Sequence, residues 1–514
     1  MNAIELTLFS SRLNAVCDEM GTVLRRTAFS PNIRDRLDFS CAIFDVNGEL
    51  CAQAAHIPVH LGSMAFAMRS VIDRLDWRQG DMVVFNDPFL GGTHLPDVTL
   101  VAPVFVADAL QGFVANRAHH ADIGADAPGS MPLSSSLHQE GLILEPDYLL
   151  RAGRWQQQIR ERLLGATRNP TESLGDFNAQ ISANHAGVER LGLFIRQTAG
   201  QAGEDAYQRG IDALNDSGER LSRHMLGGIP DGVYRFEDMM DDDGQGSRDI
   251  PIKVAVSVEG SRCLLDFSGT AQQMPGNINC PLPVTAAAVY YVFRCLMPPQ
   301  APACAGLFRP IDIEAPSGTL LNALRPAAVA AGNVETSTRV VDVVMGALAQ
   351  AIPARIPAAS HGSMNNLAMG SDHGRVWDYY ETIGGGMGAG SERHGLSAVQ
   401  THMTNTLNTP IEVIETLFPL QITEYAIRGG SGGVGEHRGG DGLVRSWKFL
   451  RPAQLTLLTE RRAHAPWGLA GGDPGSCGRN LLNEEELPAK CHLHVEAGDQ
   501  LRIETPGGGG YGKL

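Results

Sequence analysis

Lysine is scarce in this chain. Lys253, Lys448, Lys490 and Lys513 are the only four among 514 residues, and arginine carries the rest of the positive charge. With 41 basic against 57 acidic residues the formal net charge is -16, and no basic run interrupts it. Such a chain is a poor ligand for nucleic acid or an anionic membrane, although a local arginine pocket can still hold an anionic substrate. No stretch of about 18 uninterrupted apolar residues occurs, so no membrane-spanning helix is expected. The nine cysteines are scattered and form no CxxC pair, which fits a reducing cytoplasm with thiols used as small core residues. No GxxxxGK(S/T) loop is present, so the chain itself is not expected to bind ATP in the Walker manner.

What is there reads as an α+β protein with mixed sheets. The length suggests two to four compact units. The N-terminal MNAIELTLFSSRLNAVCDEM carries early acids and apolar residues at helical spacing, so residues 3–30 read as an amphipathic helix and not as a secretory leader. N-terminal β-hairpins follow, the first turning at Asn47-Gly48. Residues 155–230 form a helical middle, 234–266 return to strands, and helices recur near 283–297 and 337–351. Residues 355–440 are loop-like in composition, and 441–505 alternate as short strands. Three divisions are expected: a metal-binding part at 1–230, a mixed part with glycine-rich loops at 231–440, and a β-rich segment at 441–514. The glycine runs at 384–388 and 429–440 suit turns and close backbone packing better than a phosphate cradle. The terminal run at 507–510 fits either a tail or an inserted element.

The strongest chemical signal lies between residues 38 and 122. THLPDVT supplies His94 and Asp97, and ANRAHHADIG supplies His119, His120 and Asp122. Imidazole with carboxylate is a ligand set for zinc, manganese or iron. If 98–106 and 112–119 pair across a turn at 107–111, opposing numbers sum to about 219. Asp97 and His119 then meet at the open end of one hairpin. Pairing across Asn47-Gly48 sets Asp38 beside His56 and Ile57, and His56 and His60 can line the same pocket. A buried histidine in a core and an aspartate closing a turn are the plainer alternatives for each residue taken alone.

These stretches resemble the hydantoinase B / 5-oxoprolinase family: RLDFSCAIFDVNGELCAQAAHIPVHLGSM, GDMVVFNDPFLGGTHLPDVTLVAPVF, ANRAHHADIG, QTHMTNTLNTPIEVIE, RGGSGGVGEHRGGDG and TPGGGGYG. The resemblance spans residues 3 to 512. It implies the metal-binding subunit of a cytoplasmic, ATP-dependent cyclic amidohydrolase acting on a hydantoin, 5-oxoproline or a similar lactam. It also implies a hydantoinase A-type partner that binds ATP, so that the enzyme is a hetero-oligomer. The ligands it implies for a divalent metal (Mn, Zn or Fe) are Asp38, His94, Asp97 and His119. On this resemblance ATP would activate the carbonyl oxygen by phosphorylation, making it a leaving group, and the metal would supply acidified water for attack on the activated carbon. His120 or Asp122 can move the proton, or else orient the ligands. A subunit of a ketone carboxylase and a non-catalytic scaffold for the partner are the alternatives.

Overall fold

An Asn2 capping box starts the chain: its side chain accepts from Glu5 N–H at 2.9 Å, and Glu5 accepts from Asn2 N–H in return. The computed structural model describes residues 1–514 except His56, Leu61 and Arg375 and the side chains of Ala55, Arg69 and Ser70. The capped helix α1 (Ala3–Thr27) buries Phe9, Leu13, Val16, Met20 and Leu24 along one face. A single turn, α2 (Pro31–Arg34), leads into a seven-stranded antiparallel sheet. Its strands are β1 (Phe39–Phe44), β2 (Leu50–Ala55), β3 (Met82–Phe85), β4 (Asp97–Val106), β5 (Ala109–His119), β6 (Asp147–Arg151) and β7 (Arg154–Trp155), in the order β2-β1-β5-β4-β3-β6-β7. Helix α3 (Ser63–Ile72) lies between β2 and β3 in sequence, and α4 (Gln157–Ala166), α5 (Pro170–Ala202) and α6 (Ala206–Leu226) form the helical middle.

Both faces of this sheet are covered, which is why β4 and β5 read as near-continuous apolar runs. Val98, Leu100, Val104, Val114 and Ala118 join the main core on the α1–α5 side. Val101, Phe113 and Ala115 point the other way, into a cluster with Met64 and Met68 of α3. Small residues let the helices approach closely: a Cβ on Gly187 of α5 would lie 2.5 Å from Met20 Sδ.

A second sheet holds β8 (Gly232–Asp242), β9 (Arg248–Glu259), β10 (Arg262–Asp266) and β11 (Ile311–Glu314). Helices α7 (Leu282–Cys295) and α8 (Ser337–Leu348) pack on each other, and α8 also packs on β8 and β9. Residues 355–440, loop-like in composition, contain β12 (Asn366–Ser371), β13 (Trp377–Glu381), helix α9 (Ile411–Leu417) and β14 (Leu420–Arg428). These strands pair with later ones. β12 pairs with β16 (Ala453–Leu458), which pairs with β19 (Lys490–Val495); β14 pairs with β15 (Gly442–Phe449), which pairs with β20 (Gln500–Glu504). Strands β17 (Arg479–Leu482) and β18 (Glu485–Glu486) complete that last sheet. A separate core containing Leu367, Trp377, Trp447, Leu455 and Leu501 lies among them. The division expected at residue 440 therefore falls inside a unit whose strands come from both sides of it.

The three glycine runs pack on one another. Gly386 N–H donates to Pro506 O, Gly440 N–H to Met387 O and Gly508 N–H to Gly440 O, at 3.0, 2.8 and 2.9 Å. Residues 507–510 are buried, so the terminal run is a threaded structural element. Among the described residues no helix is long and apolar enough to cross a membrane.

Candidate metal centre

The hairpin of β4 and β5 turns on two residues, Ala107 and Asp108, with φ of 49° and 63°. A mirror-image turn of this kind matches the twist of paired strands. Past it the register shifts once, between Val104 and Phe105, and Asp97 then lies directly opposite His119. The expected five-residue turn had placed these residues three positions apart in register. A tighter turn and a bulge bring them level. Gly112 sits at the bulge with φ of 148°, where a Cβ would lie 2.4 Å from Phe44 O.

The loop before Asp97 is pressed onto its neighbours. A Cβ on Gly91 would lie 2.2 Å from Ala67 Cα, and one on Gly92 would lie 2.5 Å from Asn86 O. Asn86 holds the loop from beneath by donating to Leu95 O at 2.8 Å and to Leu142 O at 2.9 Å. Asp87 caps the following turn at Phe89 N–H and pairs with Arg325, away from the cluster.

His94, Asp97 and His119 converge, with one candidate ligand atom from each within 4.8 Å of the others, all buried. Asp97 Oδ2 lies 3.3 Å from His94 Nε2 and 3.4 Å from His60 Nε2, and the Thr93 hydroxyl donates to it. The His119 ring stacks on Tyr380 with centroids 4.6 Å apart, and the Asn32 amide lies 3.3 Å from its Nδ1. Arg36 ties the same wall together by donating to Tyr380 O at 2.7 Å and to Thr382 Oγ1 at 3.1 Å. The cavity in front of the cluster measures about 20 Å³, room for one water or ion. Asp38 lines it without belonging to the three-residue group, and its carbonyl accepts from His119 N–H at 3.0 Å.

Burial raises the Asp97 carboxyl pKa, but His94 and His60 outweigh it and hold the group well below the usual carboxylate range. Burial pushes the His119 imidazole well below its ordinary value and lowers His60. Burial also opposes the charge on His94, yet Asp97 beside it raises that pKa. Burial drives the Asp38 carboxyl up to about 7.

His120 points the other way, as alternation along β5 requires. Its Nε2 lies 2.9 Å from Gln180 Oε1 on α5, and its ring packs against Phe177. Asp122 accepts from Gly124 N–H at 2.8 Å and from Arg168 Nη1 at 3.1 Å. The structure thus gathers His94, Asp97, His119, His60 and Asp38 at one cavity and places His120 and Asp122 outside it. His56 lies outside the described residues. Asn333, Tyr380, Thr382, Thr404 and Thr406 also line the cavity, and sequence reasoning had singled out none of them individually. Thr404 and Thr406 do fall within the family-like QTHMTNTLNTP stretch.

Comparison with known proteins places this geometry in context. The chain is 39% identical to 5-oxoprolinase 1 of Arabidopsis thaliana over 99% of its own length, but spans only 42% of that relative. It is 32% identical to the B component of a putative D-/L-hydantoinase from a Pseudomonas strain, covering all of this chain and 90% of the relative. Among solved structures, the ATP-dependent caprolactamase of Pseudomonas jessenii matches all of this chain and 91% of that one, with a TM-score of 0.91 and 27% identity. The model of the Hydantoinase B/oxoprolinase family matches residues 2–514, and the chain belongs to that family.

Proposed function

We propose that this chain is the metal-binding part of an ATP-dependent enzyme that opens a cyclic amide, with ATP bound by a hydantoinase A-type partner. One observation carries the reading: two imidazoles and a carboxylate, all buried, aim ligand atoms at one small cavity. The His119 Nε2 has no hydrogen-bond partner among the described residues, and the Nε2 atoms of His94 and His60 meet only Asp97 Oδ2, at 3.3 and 3.4 Å. Orphaned buried polar atoms are costly, at about 1–3 kcal/mol each, and a divalent cation is the partner that suits this donor set. The names of the relatives support the substrate class: a 5-oxoprolinase, a putative hydantoinase component and a caprolactamase all point to cyclic amides.

His94, Asp97 and His119 would hold the ion, with Asp38 as the fourth ligand that the family resemblance implies. A divalent cation there supplies Lewis-acid chemistry, polarising a carbonyl or acidifying water. The protein's own part is to fix the ligands. Thr93 and His60 orient Asp97, while Tyr380 and Asn32 fix the His119 ring. His120 and Asp122 buttress the strand end through Gln180 and Arg168, and we assign them support instead of proton transfer.

The test is metal analysis of the purified chain, together with ATP turnover by the chain coexpressed with its partner. Asp97→Ala and His119→Ala should each weaken metal binding by at least about 100-fold, since losing even an outer-shell partner costs 10–100-fold. Both should abolish turnover stimulated by 5-oxoproline or hydantoin and remain soluble. Full activity in both variants rejects the site. Stimulation only by a ketone with bicarbonate rejects ring opening in favour of carboxylation.

A further inference from the structure

A second cavity, of about 720 Å³, adjoins the metal cavity, and Thr404 lines both. Its size suits a small-molecule ligand. Its wall comes from α7, from the loop before β12 and from residues 387–405, so the segment carrying Gln400 and His402 also reaches the metal centre. Two polar side chains in this wall are unsatisfied. His402 is 8% exposed, and its Nε2 has no partner among the described residues. Its Nδ1 lies 3.5 Å from the Tyr291 hydroxyl. Where Tyr291 donates to Nδ1, the ring proton is carried on Nε2, and that atom is then a free donor. The Gln400 amide is oriented from its nitrogen, which donates to Thr382 O at 3.3 Å, and its Oε1 is left as an acceptor with no partner among the described residues. The backbone at His402 is left-handed, with φ of 58°, a conformation rare outside glycine and concentrated at functional sites.

A free donor and a free acceptor in one wall complement a particular chemical group. A small ring forces its amide into the cis form, which puts N–H and C=O on the same edge. An ordinary chain amide is trans and turns them to opposite sides. We infer that the larger cavity is where the cyclic amide docks, with Gln400 Oε1 accepting from the ring N–H and His402 Nε2 donating to the ring carbonyl. The inference rests on the ring-opening function proposed above and gives its substrate a seat beside the metal cavity. Burial lowers the His402 pKa, which keeps the ring neutral and both of its nitrogens in these roles near neutral pH.

The test uses the chain in complex with its ATP-binding partner. Gln400→Leu and His402→Phe should each raise KM for 5-oxoproline or hydantoin by about ten-fold, the effect of one lost hydrogen bond. Metal content should stay at the wild-type level, and His402→Gln, which keeps an N–H donor, should recover most of the loss. Unchanged KM in both variants overturns the docking site even if ring opening itself holds. If the wild-type complex opens no ring, the functional proposal fails and the cavity is judged by ligand-observed NMR alone. There, δ-valerolactam should give a saturation-transfer signal that N-methylacetamide does not, and Gln400→Leu should lose it. A signal retained in the variant, or absent from the wild type, overturns the inference. If His402→Phe does not fold, the half-buried Gln400 position decides in both assays.

Discussion

One oxygen of Asp97 faces Thr93, His60 and His94 at once, so its charge state is set by neighbours and not by solvent. Glu335 shows the opposite balance. It is fully buried, accepts from Met364 N–H at 2.9 Å and from Asn366 Nδ2 at 2.6 Å, and its Oε2 has no hydrogen-bond partner among the described residues. Burial, with Glu460 nearby, pushes its carboxyl up to about 8 from an ordinary 4.5. A folded-state pKa above the unfolded one adds stability that is complete below pH 4.5 and disappears as pH rises through 8. Glu335→Gln keeps the acceptor oxygen and removes the titration. Denaturant unfolding should therefore show a flatter pH profile between 5 and 8 in the variant, with its largest gain over wild type above pH 8. Parallel profiles would show that Glu335 is already ionised in the fold. At this scale the sequence was informative only where residues are close along the chain. Asp97 and His119 were legible because strand pairing is regular and the two lie on one hairpin. Asn333 and Tyr380 reach the same cavity from more than 200 positions away, which no local pattern records.

Elements show the same limit in another form. The β4–β5 turn carries Ala-Asp at two left-handed positions where glycine or asparagine usually announces a tight hairpin, so its length was misread while its strands were not. The glycine runs gave the reverse signal: plain in composition, but silent about what they pack against. In the fold they form a weave in which backbone touches backbone. A Cβ on Gly440 would lie 1.9 Å from Leu396 O, and these are main-chain atoms that cannot rotate away. Gly440→Ala should therefore destabilise the protein by about 3 kcal/mol or more, through overpacking. Gly429, in the same run, has open space around its Cβ position. Gly429→Ala should be neutral or stabilising by up to about 1 kcal/mol, because alanine restricts the unfolded chain. Urea unfolding of the pair separates the two effects; equal losses would mean that chain entropy and not steric contact governs the run.

Across the whole molecule, the net charge of -16 describes a surface and hides a charged interior. Lys490, one of only four lysines, has a fully buried side chain on β19, and its Nζ lies 2.5 Å from Glu460 Oε1. Glu460 also meets Arg339 of α8 at 3.3 Å, and Arg461 meets Asp342 of α8 at 2.5 Å and Asp238 of β8 at 2.7 Å. This network joins the β8–β9 layer and its covering helix to the C-terminal sheets, most of whose buried residues form a second hydrophobic core. Composition cannot reveal it, because a lone lysine and a lysine between buried carboxylates look alike in sequence. Removing one member of a buried pair strands the other charge, at a cost of about 3–5 kcal/mol. Lys490→Met should therefore lower the unfolding midpoint in denaturant. Glu460 would keep Arg339, so the loss should fall toward the lower end of that range. Adding Glu460→Gln to Lys490→Met removes the stranded charge and should recover part of the stability, so that the double variant is more stable than the single one. A double variant less stable than Lys490→Met would mean that Glu460 serves mainly Arg339, and that the lysine is not what ties the two cores together.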